Sequence, residues 1–356
     1  MKVLYLSAWY PTARDAMAGL FVQKHAEAAK QQGADVRVLY TEKKGIHWYI
    51  EMWRMWRALK KEWGLPDVVQ MNVLDKNGLL ANWLKLRYNI PYILVEHWSG
   101  YLPTNFSFKG GWHGKLMRLI ARRASCILPV SQMLEEAMKT SGIENGHWQR
   151  INNVVDDFFY TPISPSSIPE KRANKVRLLH VSCFDEKAKN VQGILRACRK
   201  VAEKRKDFEL VLIGTGIDFN QDKAYAEELN FPEGMVSFMG EQTPEQVAEW
   251  MQQSDAFVLF SRYETYAVVL TEAMAVGIPM IYTKNVGIAR EIPDTCGIVI
   301  DSEDEYALIE ALDGMITNHA QYSTEDIRKH GKQYTYQKVG EKLLELYHNV
   351  LDKSTY

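Results

Sequence analysis

The sequence predicts a two-domain α/β fold, each domain a parallel sheet with helices on its faces. Short apolar runs alternate with helix-period runs through most of the 356 residues, a Pro/Ser-rich break falls at 161–175, and the same rhythm then restarts. Alternating strands and helices give a parallel sheet covered on both sides. The length suits two domains of about 150–180 residues. Apolar residues make up 46% and charged residues 24% of the chain, a balance that lets two cores be buried.

In chain order, 3–7 reads as a first buried strand; the apolar run is too short for a signal peptide. A helical pattern over 20–32 ends at Gly33, and a strand is expected at 36–40. Over 48–63, Met52, Met55, Trp56, Leu59 and Trp63 recur at helical spacing beside a basic stripe of Arg54, Arg57 and Lys61. The expectation is a helix burying its aromatic face in the first domain, with contact to a membrane or a lipid-linked acceptor as the alternative. Further strands are expected at 68–72, 92–96, 126–130 and 150–153. The break contains Pro162, Ser164, Pro165, Ser166, Ser167 and Pro169 and reads as a linker.

The second domain opens with a strand at 178–182, then a helical stripe of Val191, Ile194, Leu195, Cys198, Val201 and Ala202. A strand at 210–213 runs into Gly214, Thr215 and Gly216. Thr243, Pro244 and Gln246 announce a helix with Thr as N-cap, Pro at the first position and a capping box. A buried strand at 256–260 and a helix at 266–276 follow, the helix closed by Gly277 and Pro279. The last helix, 336–351, carries Val339, Leu343, Leu344, Tyr347 and Val350 on one stripe.

Composition narrows the function. A formal net charge of −1 gives no global attraction to nucleic acid. Cys126, Cys183, Cys198 and Cys296 are scattered without metal-ligand spacing, and the first three lie in apolar patterns, so reduced core thiols in the cytoplasm are expected. No run approaches the ~18–20 apolar residues of a membrane span. No Asp-x-Asp is placed for a divalent ion, so no metal site is expected, and no Ser-His-Asp or Cys-His arrangement offers a nucleophile. Gly214-Thr215-Gly216 lacks the third glycine and the acid about 20 residues on that a nicotinamide site requires.

The most informative stretch is 261–272, SRYETYAVVLTE, which sets Glu264 and Glu272 eight positions apart after a strand and at a helix start. Open α/β sheets bind ligands beyond the carboxyl ends of their strands. Eight helical residues rise about 12 Å, the span from a sugar across a diphosphate to a ribose. Glu264 is then placed for sugar hydroxyls and Glu272 for ribose hydroxyls. The free N–H groups of the helix start, around Thr265, Tyr266, Ala267 and Val268, would receive the phosphates. A solvated pair of carboxylates is the plainer alternative.

The stretch 254–279 resembles the signature of the retaining, "group 1" (glycogen-synthase-like, Glu-x7-Glu) glycosyltransferases. The resemblance implies a GT-B fold: two Rossmann-like domains facing across a cleft, with the C-terminal helix crossing back to the N-terminal domain. The first domain would cover 1–163 plus 336–356 and hold a glycan or lipid-linked acceptor. The second, 164–335, would hold a nucleotide-diphosphate sugar. It implies metal-independent transfer with no resident cofactor, in polysaccharide or glycolipid synthesis, with possible peripheral contact at the inner membrane face. Acceptor choice would rest on segments 45–63 and 100–114.

By the same resemblance, Lys189 neutralises the donor diphosphate, with Lys187 the alternative. The family's Arg a few residues earlier is absent, its place taken by Ser182, Cys183 and Phe184. His97, after the strand 92–96, falls near the donor sugar. Gly19 gives a close backbone approach in the loop after the first strand, and Gly214 lies beside the donor. Asn153 and Asp156 resemble a family turn whose Gly is here Val154. The catalytic candidates are Glu264, Lys189 and His97. The rival readings are a sugar-nucleotide epimerase on the same fold and a non-catalytic nucleotide-sugar binding protein.

Overall fold

The computed structural model describes residues 1–108, 110–163, 168–169, 171–172 and 174–354. Ser164, Pro165, Ser166 and Ser167 of the expected linker lie outside the described residues. The first half runs β1 (Lys2–Ser7), α1 (Leu20–Gln31), β2 (Asp35–Leu39), α2 (Ile46–Trp63), β3 (Val68–Asn72), α3 (Asn77–Tyr88), β4 (Tyr92–Glu96), α4 (Gly111–Arg123), β5 (Cys126–Pro129) and α5 (Gln132–Thr140). The second runs β6 (Val176–Val181), α6 (Glu186–Lys189), α7 (Val191–Lys204), β7 (Phe208–Ile213), α8 (Phe219–Glu228), β8 (Val236–Gly240), α9 (Pro244–Gln252), β9 (Ala256–Leu259) and α10 (Val268–Val276). It continues through β10 (Met280–Thr283), β11 (Gly297–Ile300), α11 (Glu305–Asn318) and α12 (Thr324–Gly331), before the closing α13 (Tyr336–Ser354).

Two compact units result, Met1–Val154 with Thr335–Tyr356, and Val155–Tyr334. The first contains a parallel sheet ordered β2-β1-β3-β4-β5. The second contains a parallel sheet ordered β11-β10-β9-β6-β7-β8, which is the dinucleotide-fold order 3-2-1-4-5-6. In each sheet the strand order reverses at one place, between β1 and β3 in the first and between β6 and β9 in the second. Those reversal points open crevices at the carboxyl ends of the strands.

The closing helix belongs to the first unit. Val339, Leu343, Leu346, Tyr347 and Val350 of α13 join the core formed by Val3, Tyr5, Val22 and Ala26. Gly340 lets α13 approach α1 closely: a Cβ there would lie 2.4 Å from the Ala28 carbonyl oxygen. A buried polar chain adds direction to this packing. The Tyr347 hydroxyl lies 2.8 Å from that of Tyr5 and donates to Gln70 Oε1 at 2.6 Å, and Gln70 Nε2 donates to Asn72 Oδ1 at 2.9 Å. Buried polar groups are tolerated because each finds a partner.

Several expectations are corrected. The strand expected at 150–153 does not form; 147–151 follows β5 only irregularly, with Ile127 N–H donating to His147 O and Gln149 N–H to Ile127 O. The unit boundary falls at Val154/Val155 rather than 163/164, because Val155 N–H donates to Tyr334 O and the Tyr160 hydroxyl to Gly331 O at 2.9 Å. Cys126, Cys198 and Cys296 are buried, but Cys183 is exposed, since β6 ends two residues before it. The helix expected over 48–63 does form, as Ile46–Trp63 behind Gly45. Its Trp48, Met52, Trp56 and Trp63 are buried, as the aromatic stripe predicts.

Candidate active site

In the second unit, the reversal point between β6 and β9 brings two loops together. The loop after β6 leads into α6, a single turn capped by the Asp185 side chain, which accepts from Lys187 N–H. Asn190 ends the turn in a left-handed conformation, φ 51°. The loop after β9 carries Ser261, Arg262 and Glu264. Lys189 Nζ donates to Glu264 Oε1, and Ser261 Oγ donates to the same oxygen at 3.2 Å. The Lys189 and Glu264 side chains are only 13% and 16% exposed, whereas Lys187 is exposed. Burial works against the Lys189 charge, but Glu264, with Cys183 and Asp185, outweighs it and holds the ammonium above its ordinary range. One of its three protons goes to Glu264, leaving two donors for a ligand.

Glu264 is not on the helix. Its N–H donates to Asn285 O at 3.1 Å, in a lone parallel bridge with Val286. Helix α10 begins at Val268, two residues later than expected, because Ala267 turns left-handed at φ 75°. The 12 Å helical rise from Glu264 to Glu272 therefore does not apply; only the last part of that interval is helical. Thr265 is half-buried and Tyr266 and Ala267 are buried. No side chain caps the α10 N-terminus and no acidic residue lies in its first turn. Glu272 sits on α10, half-buried. Burial chiefly, then Tyr334, Asp157 and Glu272, pushes the Tyr160 hydroxyl upward.

His180 braces the same reversal point from within β6. Its Nδ1–H donates to Val258 O of β9 at 2.8 Å, so Nε2 of the neutral ring accepts from Ser182 Oγ at 2.8 Å. Burial pushes this imidazole down to about 4, against the Val258 hydrogen bond. Gly214, at φ 126°, lies against this loop: a Cβ there would sit 1.9 Å from Ser182 O. Its close approach is made to the chain's own backbone.

In the first unit, Gly19 (φ 67°) is the N-cap of α1, and a Cβ there would lie 2.4 Å from the Trp9 carbonyl. Two residues on, Phe21 stacks on His97 with ring centroids 3.8 Å apart. His97 is buried and its Nε2 meets no hydrogen-bond partner among the described residues. Burial, with His25 beside it, holds the ring well below its ordinary range and so neutral. The loop is fixed by Glu96, which sequence reasoning read only as a strand end. Its carboxylate accepts from His97 N–H and Trp98 N–H, each at 2.9 Å, and from Leu74 N–H at 2.9 Å. Burial, with Asp75 nearby, pushes this carboxyl up to about 7 against the pull of those three N–H groups. Asn153 is buried, and Val154 stays out of the left-handed region that the family's turn glycine serves. Among the described residues no group of three or more His, Cys, Asp or Glu side chains could hold a metal ion.

The two parallel sheets form two Rossmann-like domains of the GT-B kind, and comparison with known proteins agrees. Residues 166–336 match the glycosyl transferases group 1 family and residues 4–153 the glycosyl transferase 4-like domain. The chain belongs to the group 1 glycosyltransferases. It is 29% identical over 198 residues to the N-acetyl-alpha-D-glucosaminyl L-malate synthase of Bacillus anthracis, covering 51% of this chain and 50% of that enzyme. It is 24% identical over 204 residues to a Campylobacter jejuni N-acetylgalactosamine-N,N'-diacetylbacillosaminyl-diphospho-undecaprenol 4-alpha-N-acetylgalactosaminyltransferase, covering 56% and 53%. These matches take in about half the length of each relative. Anabaena HepE, solved in complex with UDP, superposes with a TM-score of 0.78 at 18% identity over 98% of this chain and 100% of HepE.

Proposed function

We propose that this chain transfers a sugar, with retention of anomeric configuration and without a metal ion, from a nucleotide-diphosphate sugar to a glycan or lipid-linked acceptor. The Lys189–Glu264 pair at the β6/β9 reversal point carries the reading. Departure of the diphosphate leaves negative charge on the leaving oxygens and an oxocarbenium-like sugar. Lys189 and the uncapped N-terminus of α10 supply positive charge to the former. Glu264 faces the latter, and Glu272 takes the ribose. Support for the donor class comes from HepE, which was solved with UDP-glucose. Support for the acceptor class comes from the diphospho-undecaprenol named for the Campylobacter enzyme. The expected setting is polysaccharide or glycolipid synthesis in the cytoplasm.

The test is a thermal-shift screen of nucleotide-sugars, followed by transfer assays with excess EDTA. A donor at 100 times its Kd should stabilise by about 2.7 kcal/mol, EDTA should leave turnover unchanged, and Glu272→Ala should weaken donor binding by about 1.5–3 kcal/mol. Acceptor-independent conversion of the donor would indicate an epimerase instead. Activity lost to EDTA and restored by one ion would overturn metal independence.

One surface supports peripheral action at a membrane. Ile46, Tyr49, Ile50 and Trp53 lie at i, i+3, i+4 and i+7 of α2 and are all exposed. Lys43, Lys44, Arg54 and Arg57 flank them and are exposed too; Glu51 pairs with Lys43 and Arg54. An apolar stripe with a basic border suits an anionic bilayer surface. No described helix is long and apolar enough to cross a membrane. The expected result is co-sedimentation with phosphatidylglycerol vesicles, reduced about tenfold or more by Ile50→Ser with Trp53→Ser, as two side chains worth about 1.5–3 kcal/mol each leave the interface. Equal binding by wild type and the double variant would exclude this face.

A further inference from the structure

We infer that Arg262 is a positioning residue that sets the Lys189 turn against the Glu264 loop, an inference that rests on the reading of that pair given above. A four-residue helix has no stability of its own, since nucleation fixes several dihedrals for one hydrogen bond. The direction of Lys189 is therefore decided by whatever holds α6 in place. Arg262 does so from three sides. Its N–H donates to Ala188 O at 2.7 Å, its Nη1 to Glu186 O, and its Nη2 to Asn190 Oδ1 at 2.9 Å. These contacts span the turn that carries Lys189, while two residues along the same loop Glu264 receives the lysine itself.

Both ends of the clamp are anchored. Asn190 is buried and left-handed, and Gly193 leaves the room its amide occupies, since an added Cβ there would lie 2.7 Å from Asn190 Oδ1. Behind Arg262, Nε donates to Glu303 Oε1 at 2.6 Å, and Glu303 holds φ 66° in the loop after β11. All three guanidinium nitrogens are committed to protein acceptors. Through these bonds Arg262 directs the cation that is present, Lys189. A planar fork with donors in fixed directions can bridge these acceptors, and a lysine ammonium cannot.

The experiment is a double-mutant cycle on turnover with the best donor, using Lys189→Ala, Arg262→Ala, Arg262→Lys and the double variant Lys189→Ala/Arg262→Ala. Arg262→Ala should lower kcat about tenfold with the donor KM changed less than about threefold. Arg262→Lys should recover little of that loss. The double variant should be no slower than Lys189→Ala alone within about twofold, because coupled residues are not additive. Multiplicative losses, rescue by Lys, or wild-type kcat in Arg262→Ala would each overturn the inference. Wild-type turnover in Lys189→Ala would instead defeat the reading of the pair. If Arg262→Ala does not fold, Glu303→Ala at an exposed carboxylate carries the test. It should lower kcat about two- to fivefold on the wild-type background and leave the Lys189→Ala background unchanged, and additive loss would overturn the inference.

Discussion

Lys189→Ala is expected to lower kcat/KM for the donor by about 100-fold, roughly 2.7 kcal/mol at 1.36 kcal/mol per decade. Removing one preorganised donor from a site of developing negative charge costs this order of magnitude. The ammonium suits that role because it is mostly buried, bonded once to Glu264, and held in its charged form by that carboxylate. Some stability should also be lost, because Glu264 would keep its partial burial and lose its cation. Lys187→Ala is the control. Its side chain is exposed two residues away, so turnover should stay within about twofold of wild type, as for most surface substitutions. Equal loss in both variants would mean that the general positive charge of the turn matters, and the specific Lys189–Glu264 contact would lose its assigned role.

What the sequence made legible was whatever is decided locally. The runs 68–72 and 92–96 coincide with β3 and β4 because both are buried along their whole length. The Thr243 capping box is present, with both reciprocal hydrogen bonds formed. The apolar stripe of the last helix implied an apolar partner, and the resemblance supplied the first unit as that partner.

Long-range pairing hid the rest. Nothing in residues 150–153 signals that β5 will accept only a few irregular bonds there. The late start of α10 depends on a left-handed Ala267, a conformation for which alanine gives no hint. Glu264 leaves the helix because Asn285 and Val286 hold it, twenty-odd positions away in sequence. Arg262 has its partners 41 to 76 positions away, so spacing could not find it. Glu96 did leave a trace, as a carboxylate ending an otherwise apolar strand immediately before His97. A buried charge in such a place needs several donors, and it has them.

Glu264→Gln should slow transfer by at least about tenfold, a barrier increase of about 1.4 kcal/mol, while the donor binds nearly as in wild type. Glutamine keeps the shape of the side chain and an oxygen able to accept from Lys189 and Ser261. What disappears is the negative charge, and that charge is useful chiefly when the sugar becomes positive. An interaction stronger in the transition state than in the ground state appears in kcat and leaves KM nearly alone. A second effect follows from the pair. In wild type Glu264, with Cys183 and Asp185, outweighs the burial that disfavours the Lys189 ammonium; in the variant the Glu264 charge is gone from that balance. The lysine then loses its proton at lower pH, so the alkaline limb of the kcat/KM profile should move down in pH relative to wild type. Wild-type kcat with a raised donor KM would assign Glu264 to uniform substrate binding. An unmoved alkaline limb would show that the ammonium is not the group whose ionisation limits the reaction at high pH.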